Sequence, residues 1–309
     1  MRSTVHGVIA ALLTPRDMEG SVASDSLRRN IDFVLDEGAQ GVCVLGATGE
    51  YHAMSMNERK KVVDIASHQV RGRAHLVVCA GAPSFNESVH IAEYALGSGA
   101  DVILLPPPFF FRYSQADMEC FYTEAARRIG GPILLYNLPM FTNPIETPLA
   151  VRLINRVEKI VGIKDSSGGL DTLRAFNGIG LGGAVRLLGN DRVIPEALRT
   201  RCCDGFISGI AGVLPELSVA LYEGADGWSD ESPTVLMLEE VVSALDTLPV
   251  PWGLKLIAEA RGLFDTNFSV PLSEARQGQL AQFAAWCSRW SPDTSPSFFN
   301  GRSRSESPF

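Results

Sequence analysis

Ile160-Val161-Gly162-Ile163-Lys164-Asp165-Ser166-Ser167 sets a lysine at the end of an apolar run. Ile160, Val161 and Ile163 read as a strand covered on both faces, as in a parallel sheet with helices packed outside it. The chain carries five lysines against twenty-two arginines, so an ammonium here is not casual surface charge. Desolvating it costs free energy, and the usual relief is a lowered pKa. An amine that sheds its proton near neutrality can attack a carbonyl and form a Schiff base. The plainer alternative is a strand-end lysine that reaches solvent or pairs with Asp165, and this segment alone does not separate the two.

Working outward, similar apolar runs recur at Gly7–Pro15, Gly41–Gly46, His75–Gly81, Asp101–Pro107, Pro132–Pro139, Val185–Gly189 and Gly205–Ile210. Helical periodicity fills the gaps. Ser55-x-x-Glu58 and Ser114-x-x-Asp117 have capping-box spacing, Thr147-Pro148 offers a cap followed by proline, and Asn86 is the expected cap of a helix through Leu96. Gly38 and Gly97 follow helical runs, where a left-handed terminator belongs. Eight strands alternating with helices over about 215 residues match a (β/α)8 TIM barrel. An open doubly wound sheet would want a GxGxxG turn after the first strand, and Gly7–Pro15 lacks one. The barrel is therefore expected to span residues 1–224. A C-terminal helical extension, residues 225–290, follows with helical stretches at 232–245, 252–262 and 273–290, expected to pack on the barrel or on a neighbouring subunit. Residues 291–309, rich in Ser, Pro and Arg, read as a disordered tail.

The totals exclude several classes. With 309 residues and 46% hydrophobic content, the chain can bury one large core. A net charge of -8 argues against nucleic-acid and anionic-membrane partners. No apolar stretch reaches the roughly 18 residues of a membrane span, and the N-terminus runs into a strand-like segment without signal-peptide character. Cys43, Cys79, Cys120, Cys202, Cys203 and Cys287 lie mostly in apolar runs without CxxC spacing, as expected of buried thiols in a reducing cytoplasm. The five histidines show no paired metal spacing, so neither metal nor other cofactor is expected.

Barrel chemistry sits at the C-terminal ends of strands. There the neighbouring strand ends in Leu135-Tyr136-Asn137-Leu138-Pro139, and Tyr136 can shuttle the protons that Schiff-base chemistry needs. A core aromatic bonded to backbone is the alternative. Across the barrel, Gly46-Ala47-Thr48-Gly49-Glu50 can turn backbone N–H groups and the Thr48 hydroxyl toward an anion such as a 2-keto acid carboxylate.

Those three segments, in this order and spacing, resemble the dihydrodipicolinate synthase / N-acetylneuraminate lyase family. The resemblance extends through Asp204-Gly205-Phe206-Ile207-Ser208-Gly209 and Pro251-Trp252-Gly253-Leu254-Lys255. It implies a barrel with a C-terminal helical region, metal-free class I aldolase chemistry on pyruvate or a related 2-keto acid, and a homo-oligomer, usually a tetramer. Lys164 matches the Schiff-base lysine and Tyr136 the proton-transferring tyrosine. Ala47 and Thr48 match the carboxylate-binding positions, and Gly189 and Ile207 the lining of the pyruvyl pocket. Three positions depart from the synthase pattern. Ala47 replaces a threonine, Phe110 a tyrosine that reaches the neighbouring subunit's site, and Phe141 an arginine that grips the second substrate's carboxylate. Losing that grip removes roughly 1.5–3 kcal/mol of charge-assisted binding. The expected reaction is cleavage, or dehydration, of a 2-keto-3-deoxy-type acid to pyruvate and an aldehyde, with Phe109, Phe110, Phe111 and Phe141 making the aldehyde side less polar. Subunit packing explains the Phe run equally well. The synthase reaction itself, a non-catalytic keto-acid binder and a pyridoxal-phosphate enzyme are the alternatives; the last needs a phosphate cradle, for which residues 178–183 are a poor candidate.

Overall fold

A computed structural model describes residues 5–178, 183–225, 227 and 229–289. Eight parallel strands close into a barrel in chain order: β1 (Gly7–Ala11), β2 (Gly41–Val44), β3 (His75–Cys79), β4 (Val102–Leu105), β5 (Ile133–Asn137), β6 (Ile160–Asp165), β7 (Val185–Leu188) and β8 (Gly205–Ser208). Between them run α1 (Ser24–Asp36), α2 (Met56–Val70), α3 (Phe85–Gly97), α4 (Gln115–Arg128), α5 (Thr147–Arg156), α6 (Asp171–Gly178) and α7 (Ile194–Arg199), with α8 (Pro215–Glu223) after β8. The strands are buried on both faces because helices cover the outside and side chains fill the inside, which explains their unbroken apolar character. Closure also leaves no strand edge unpaired.

Local chemistry sets the helix ends. Ser55 and Ser114 each form a complete capping box with Glu58 and Asp117, worth about 1 kcal/mol per cap. Three expected end signals fall elsewhere. Ser84, two residues earlier than Asn86, caps α3 by accepting from the Glu87 N–H at 3.1 Å, while Asn86 receives Arg128. Thr147 bonds Thr172 instead of capping α5. Gly97 is still helical, and the left-handed reversal comes at Gly99; Gly38 does adopt a positive φ after α1. Four cysteines are buried as anticipated, but Cys120 is exposed on α4 and Cys203 partly so.

Beyond the barrel lie α9 (Pro233–Leu245), α10 (Trp252–Ala260) and α11 (Glu274–Arg289). Every residue of α10 from Trp252 to Ala258 is buried, as befits a helix apolar on nearly all sides. It packs between α9 and α11, where a Cβ at Gly253 would sit 2.6 Å from Leu245 and 3.0 Å from Phe283. Residues 291–309, and residues 179–182 of the weak phosphate-cradle candidate, lie outside the described residues. Among the described residues no helix is long and apolar enough to cross a membrane. No group of three or more His, Cys, Asp or Glu is placed to hold a metal ion among them.

Candidate active site

Strand alternation sends Lys164 into the barrel and Asp165 outward. Asp165 accepts from Asn137 Nδ2 at 3.0 Å and from the Ser167 N–H at 2.9 Å, tying the ends of β5 and β6 together. Asn137 in turn accepts from the Ile145 N–H at 3.0 Å, holding the loop before α5. The sequence left open whether Lys164 pairs with Asp165; the carboxylate is engaged elsewhere. Lys164 is directly in register with Tyr136 on β5, and its Nζ donates to Tyr136 Oη at 3.2 Å. The ammonium also lies 4.4 Å from the phenol ring centre. Both residues are nearly inaccessible, at 5% and 3% exposure.

Burial makes this pair electrostatically tense. Desolvation, the largest influence on the Lys164 ammonium, lowers its pKa; a Tyr136 phenolate and a Cys43 thiolate beside it would more than reverse that. Those anions do not form near neutral pH, because burial lifts Cys43 to about 11, Cys79 to about 12, and Tyr136 upward as well. Besides burial, the hydrogen bond to Tyr136 holds the proton on the amine, and the Asp191 carboxyl, which feels the Lys164 charge, is an anion above about pH 6. Burial alone favours a free amine, but the balance is upward, against the lowered value expected from the sequence.

The space for that amine depends on a glycine. A Cβ at Gly189 would sit 2.5 Å from Lys164 Cε and 2.0 Å from Ser166 Oγ, so only glycine lets the lysine side chain pass. Ser166 Oγ donates to the Gly189 carbonyl at 3.1 Å. Across the barrel, the turn after β2 is bracketed by two left-handed non-glycine residues, Leu45 (φ 60°) and Glu50 (φ 54°). Such strain persists only where surroundings impose it, and it concentrates at functional sites. Thr14 Oγ1 helps impose it by donating to the Gly49 carbonyl at 3.0 Å.

These elements open on a cavity of about 550 Å³ at the C-terminal rim. Lys164, Tyr136, Ala47, Thr48, Gly189 and Ile207 all line it. Of the Phe positions, Phe141 joins them, with Met140 beside it; Phe109, Phe110 and Phe111 are not among its walls. Phe110 instead points to solvent at 89% exposure and stacks edge-on against Phe111. This flank of the cavity is accordingly less uniformly apolar than the Phe-rich sequence suggests.

Its polar share comes from residues the sequence reading did not single out. Asn190, Asp191 and Arg192 follow β7 directly into the wall, and Asp246 enters from the C-terminal helical segments, where Val250 and Leu254 add apolar surface. The first three could have been found from their position after a strand. Asp246 and Val250 carry no local signal, because their place depends on how α9 and α10 dock. Arg192 pairs with Asp246 across the mouth. Asp191 is partly exposed as a residue, but its carboxyl end is enclosed. Burial pushes that carboxyl up to about 6, against the lowering influence of the Ser208 hydroxyl and the Lys164 charge. The arrangement offers a shielded amine and phenol at the floor, the Ala47–Thr48 turn opposite, and a mixed-polarity mouth.

Comparison with known proteins agrees with that anatomy. The sequence model of the Dihydrodipicolinate synthetase family matches residues 4–289. A 4-hydroxy-tetrahydrodipicolinate synthase from Methanopyrus kandleri is 32% identical over 278 residues, covering 88% of this chain and 92% of that one. An uncharacterized DapA-like lyase from Halobacterium salinarum is 29% identical, covering 85% and 86%. Among solved structures, a chloride-inhibited dihydrodipicolinate synthase from Acinetobacter baumannii, complexed with pyruvate, aligns with a TM-score of 0.81 at 26% identity, covering 92% and 99%.

Proposed function

This chain belongs to the dihydrodipicolinate synthetase family, and from that premise we propose that it is a Schiff-base lyase that cleaves, or dehydrates, a 2-keto-3-deoxy-type acid. The approach of Lys164 Nζ to Tyr136 Oη at 3.2 Å, on the floor of the rim cavity, carries the reading. Membership itself makes the enzyme a class I aldolase-type lyase; the substrate and the roles of individual residues are the proposal.

The carboxylate of the keto acid lies against the amides of Ala47 and Thr48 and the Thr48 hydroxyl. The neutral amine of Lys164 adds to the C2 ketone. Tyr136 passes a proton to the oxygen as water leaves, and a protonated imine results. This iminium accepts the electron pair of the C3–C4 bond as the C4 hydroxyl loses its proton to Tyr136 and departs as an aldehyde. The remaining enamine takes a proton back at C3, and water then releases pyruvate and the free amine. Gly189 and Ile207 shape the pyruvyl pocket. The aldehyde meets Phe141 on one flank and the segment from Asn190 to Arg192 on the other.

Phe141 stands against simple transfer of the Methanopyrus kandleri relative's synthase activity, because a phenyl ring cannot clamp the second substrate's carboxylate. A homo-oligomer is part of the proposal. The exposed cluster of Phe110, Phe111, Tyr113, Met140 and Phe141 is large for a lone surface, and a second copy would cover it. Six free thiols are compatible with a reducing cytoplasm.

The test is borohydride reduction with pyruvate, followed by peptide mass mapping. The expected adduct is on Lys164, and a panel of 2-keto acids should then reveal one that yields pyruvate. No adduct on Lys164 sinks the mechanism. An adduct without turnover of any keto acid leaves a binding protein instead of an enzyme.

A further inference from the structure

The late Pro251-Trp252-Gly253-Leu254-Lys255 segment brings a second buried lysine to the site from the opposite end of the sequence. Lys255 Nζ lies 2.5 Å from Glu50 Oε2, and the two side chains are only 6% and 7% exposed. The same ammonium donates to the Asn267 carbonyl at 2.6 Å and sits 5.7 Å from the Phe268 ring centre. The other carboxylate oxygen of Glu50 accepts from Ser269 Oγ at 3.1 Å. Glu50 is thus held by α10 and by the strap that follows it.

Glu50 is also the left-handed residue that closes the turn carrying Ala47 and Thr48. The preceding residue of α10 reaches that turn as well. A Cβ at Gly209 would meet Leu254 Cδ1 at 2.7 Å and Thr48 Oγ1 at 3.3 Å, so Leu254 and Thr48 converge on one glycine. Helix α10 therefore touches the turn twice, through charge at Glu50 and through packing beside Thr48. A buried ion pair is a poor source of stability compared with apolar side chains of similar volume, and its best use is to fix one arrangement against others.

We propose that Lys255 and Glu50 are positioning residues for the keto-acid carboxylate: their buried pair locks the turn after β2 against α10 and so sets the depth at which Thr48 meets the ligand. The inference rests on the assignment of the carboxylate to Ala47 and Thr48 made above.

The experiment measures the pyruvate concentration that half-saturates borohydride trapping on Lys164, with full-length protein throughout. The double variant Glu50→Gln/Lys255→Met removes the pair without stranding a charge. Its half-saturating pyruvate should rise about tenfold, while the adduct plateau at high pyruvate stays at the wild-type level because the floor is untouched. As a control, Glu216→Gln/Arg261→Met removes the ion pair between α8 and the residue that ends α10. It should lower the melting temperature and leave half-saturation unchanged. Ser269→Ala loosens Glu50 alone and should shift half-saturation about threefold the same way; it serves if the double variant does not fold. Equal shifts in the test and control pairs, or no shift in either the double variant or Ser269→Ala, overturn the proposal. Absence of any adduct in the wild type overturns the lyase reading and the inference together, which separates the two failures.

Discussion

The two ends of the cavity are built on opposite principles. At the floor, Lys164, Tyr136 and Gly189 come from the ends of β5, β6 and β7, where the strand register fixes each side chain within a closed sheet. At the mouth, Met140 and Phe141 stand on a loop at 75% and 52% exposure, and Asp246 and Val250 arrive on the helical extension. A barrel strand cannot shift without breaking ladders on both sides, whereas a loop can change with little cost. Under the proposed function, the chemistry lies at the floor and the choice of aldehyde partner at the mouth.

Substitutions can break or sharpen this contrast. The largest effect is expected for Lys164→Ala, which should abolish the borohydride adduct and lower kcat about 10⁴-fold or more, the scale of losing a nucleophile. Tyr136→Phe should preserve pyruvate trapping and lower kcat by about 10²–10³-fold, the range of a general acid–base group. Unchanged turnover there would remove the phenol from the mechanism. Gly189→Ala forces a Cβ to within 2.5 Å of Lys164 Cε. It should slow adduct formation and cost about 1–3 kcal/mol in chemical denaturation.

Asp191 stands between the two ends, and its signature is a pH dependence. Burial raises its carboxyl from 3.8 to about 6. A raised carboxyl favours the protonated fold. Its contribution is therefore whole below the ordinary value and is lost as pH rises through about 6. Relative to wild type, Asp191→Asn should gain about 1–2 kcal/mol between about pH 4 and about pH 7 in denaturant titrations, a range reduced for the open mouth. A constant difference across that window would contradict the enclosed carboxyl. The smallest effect belongs to Phe141→Ala. Stability should stay within about 0.5 kcal/mol, and preference among aldehyde partners should move by about tenfold. A large loss of pyruvate trapping in this variant would erase the distinction between floor and mouth.

The same division explains what could be read from the sequence. The eight apolar runs announced the barrel because parallel strands buried on both faces leave no room for polar interruption. Lys164, Tyr136 and Thr48 stood out because each sits at or just past the C-terminal end of such a run. Helix ends were harder, since several nearby residues can cap the same turn: Ser84 takes the position expected of Asn86, and Thr147 spends its hydroxyl on Thr172. Asp246 and Val250 had no local signature, because only docking of the late helices brings them to the cavity. Phe110 illustrates the limit from the other side: expected beside the second substrate, it lies off the cavity wall with its ring exposed.

Helix α10 makes the molecule less modular than its linear order suggests. It supplies Leu254 to the wall of the mouth and Lys255 to the turn that faces the floor. Recombination between relatives at the end of the barrel would therefore import a new entrance together with a foreign partner for Glu50. Lineages that exchange this tail intact should acquire altered substrate range and weakened grip on the shared keto acid in a single step.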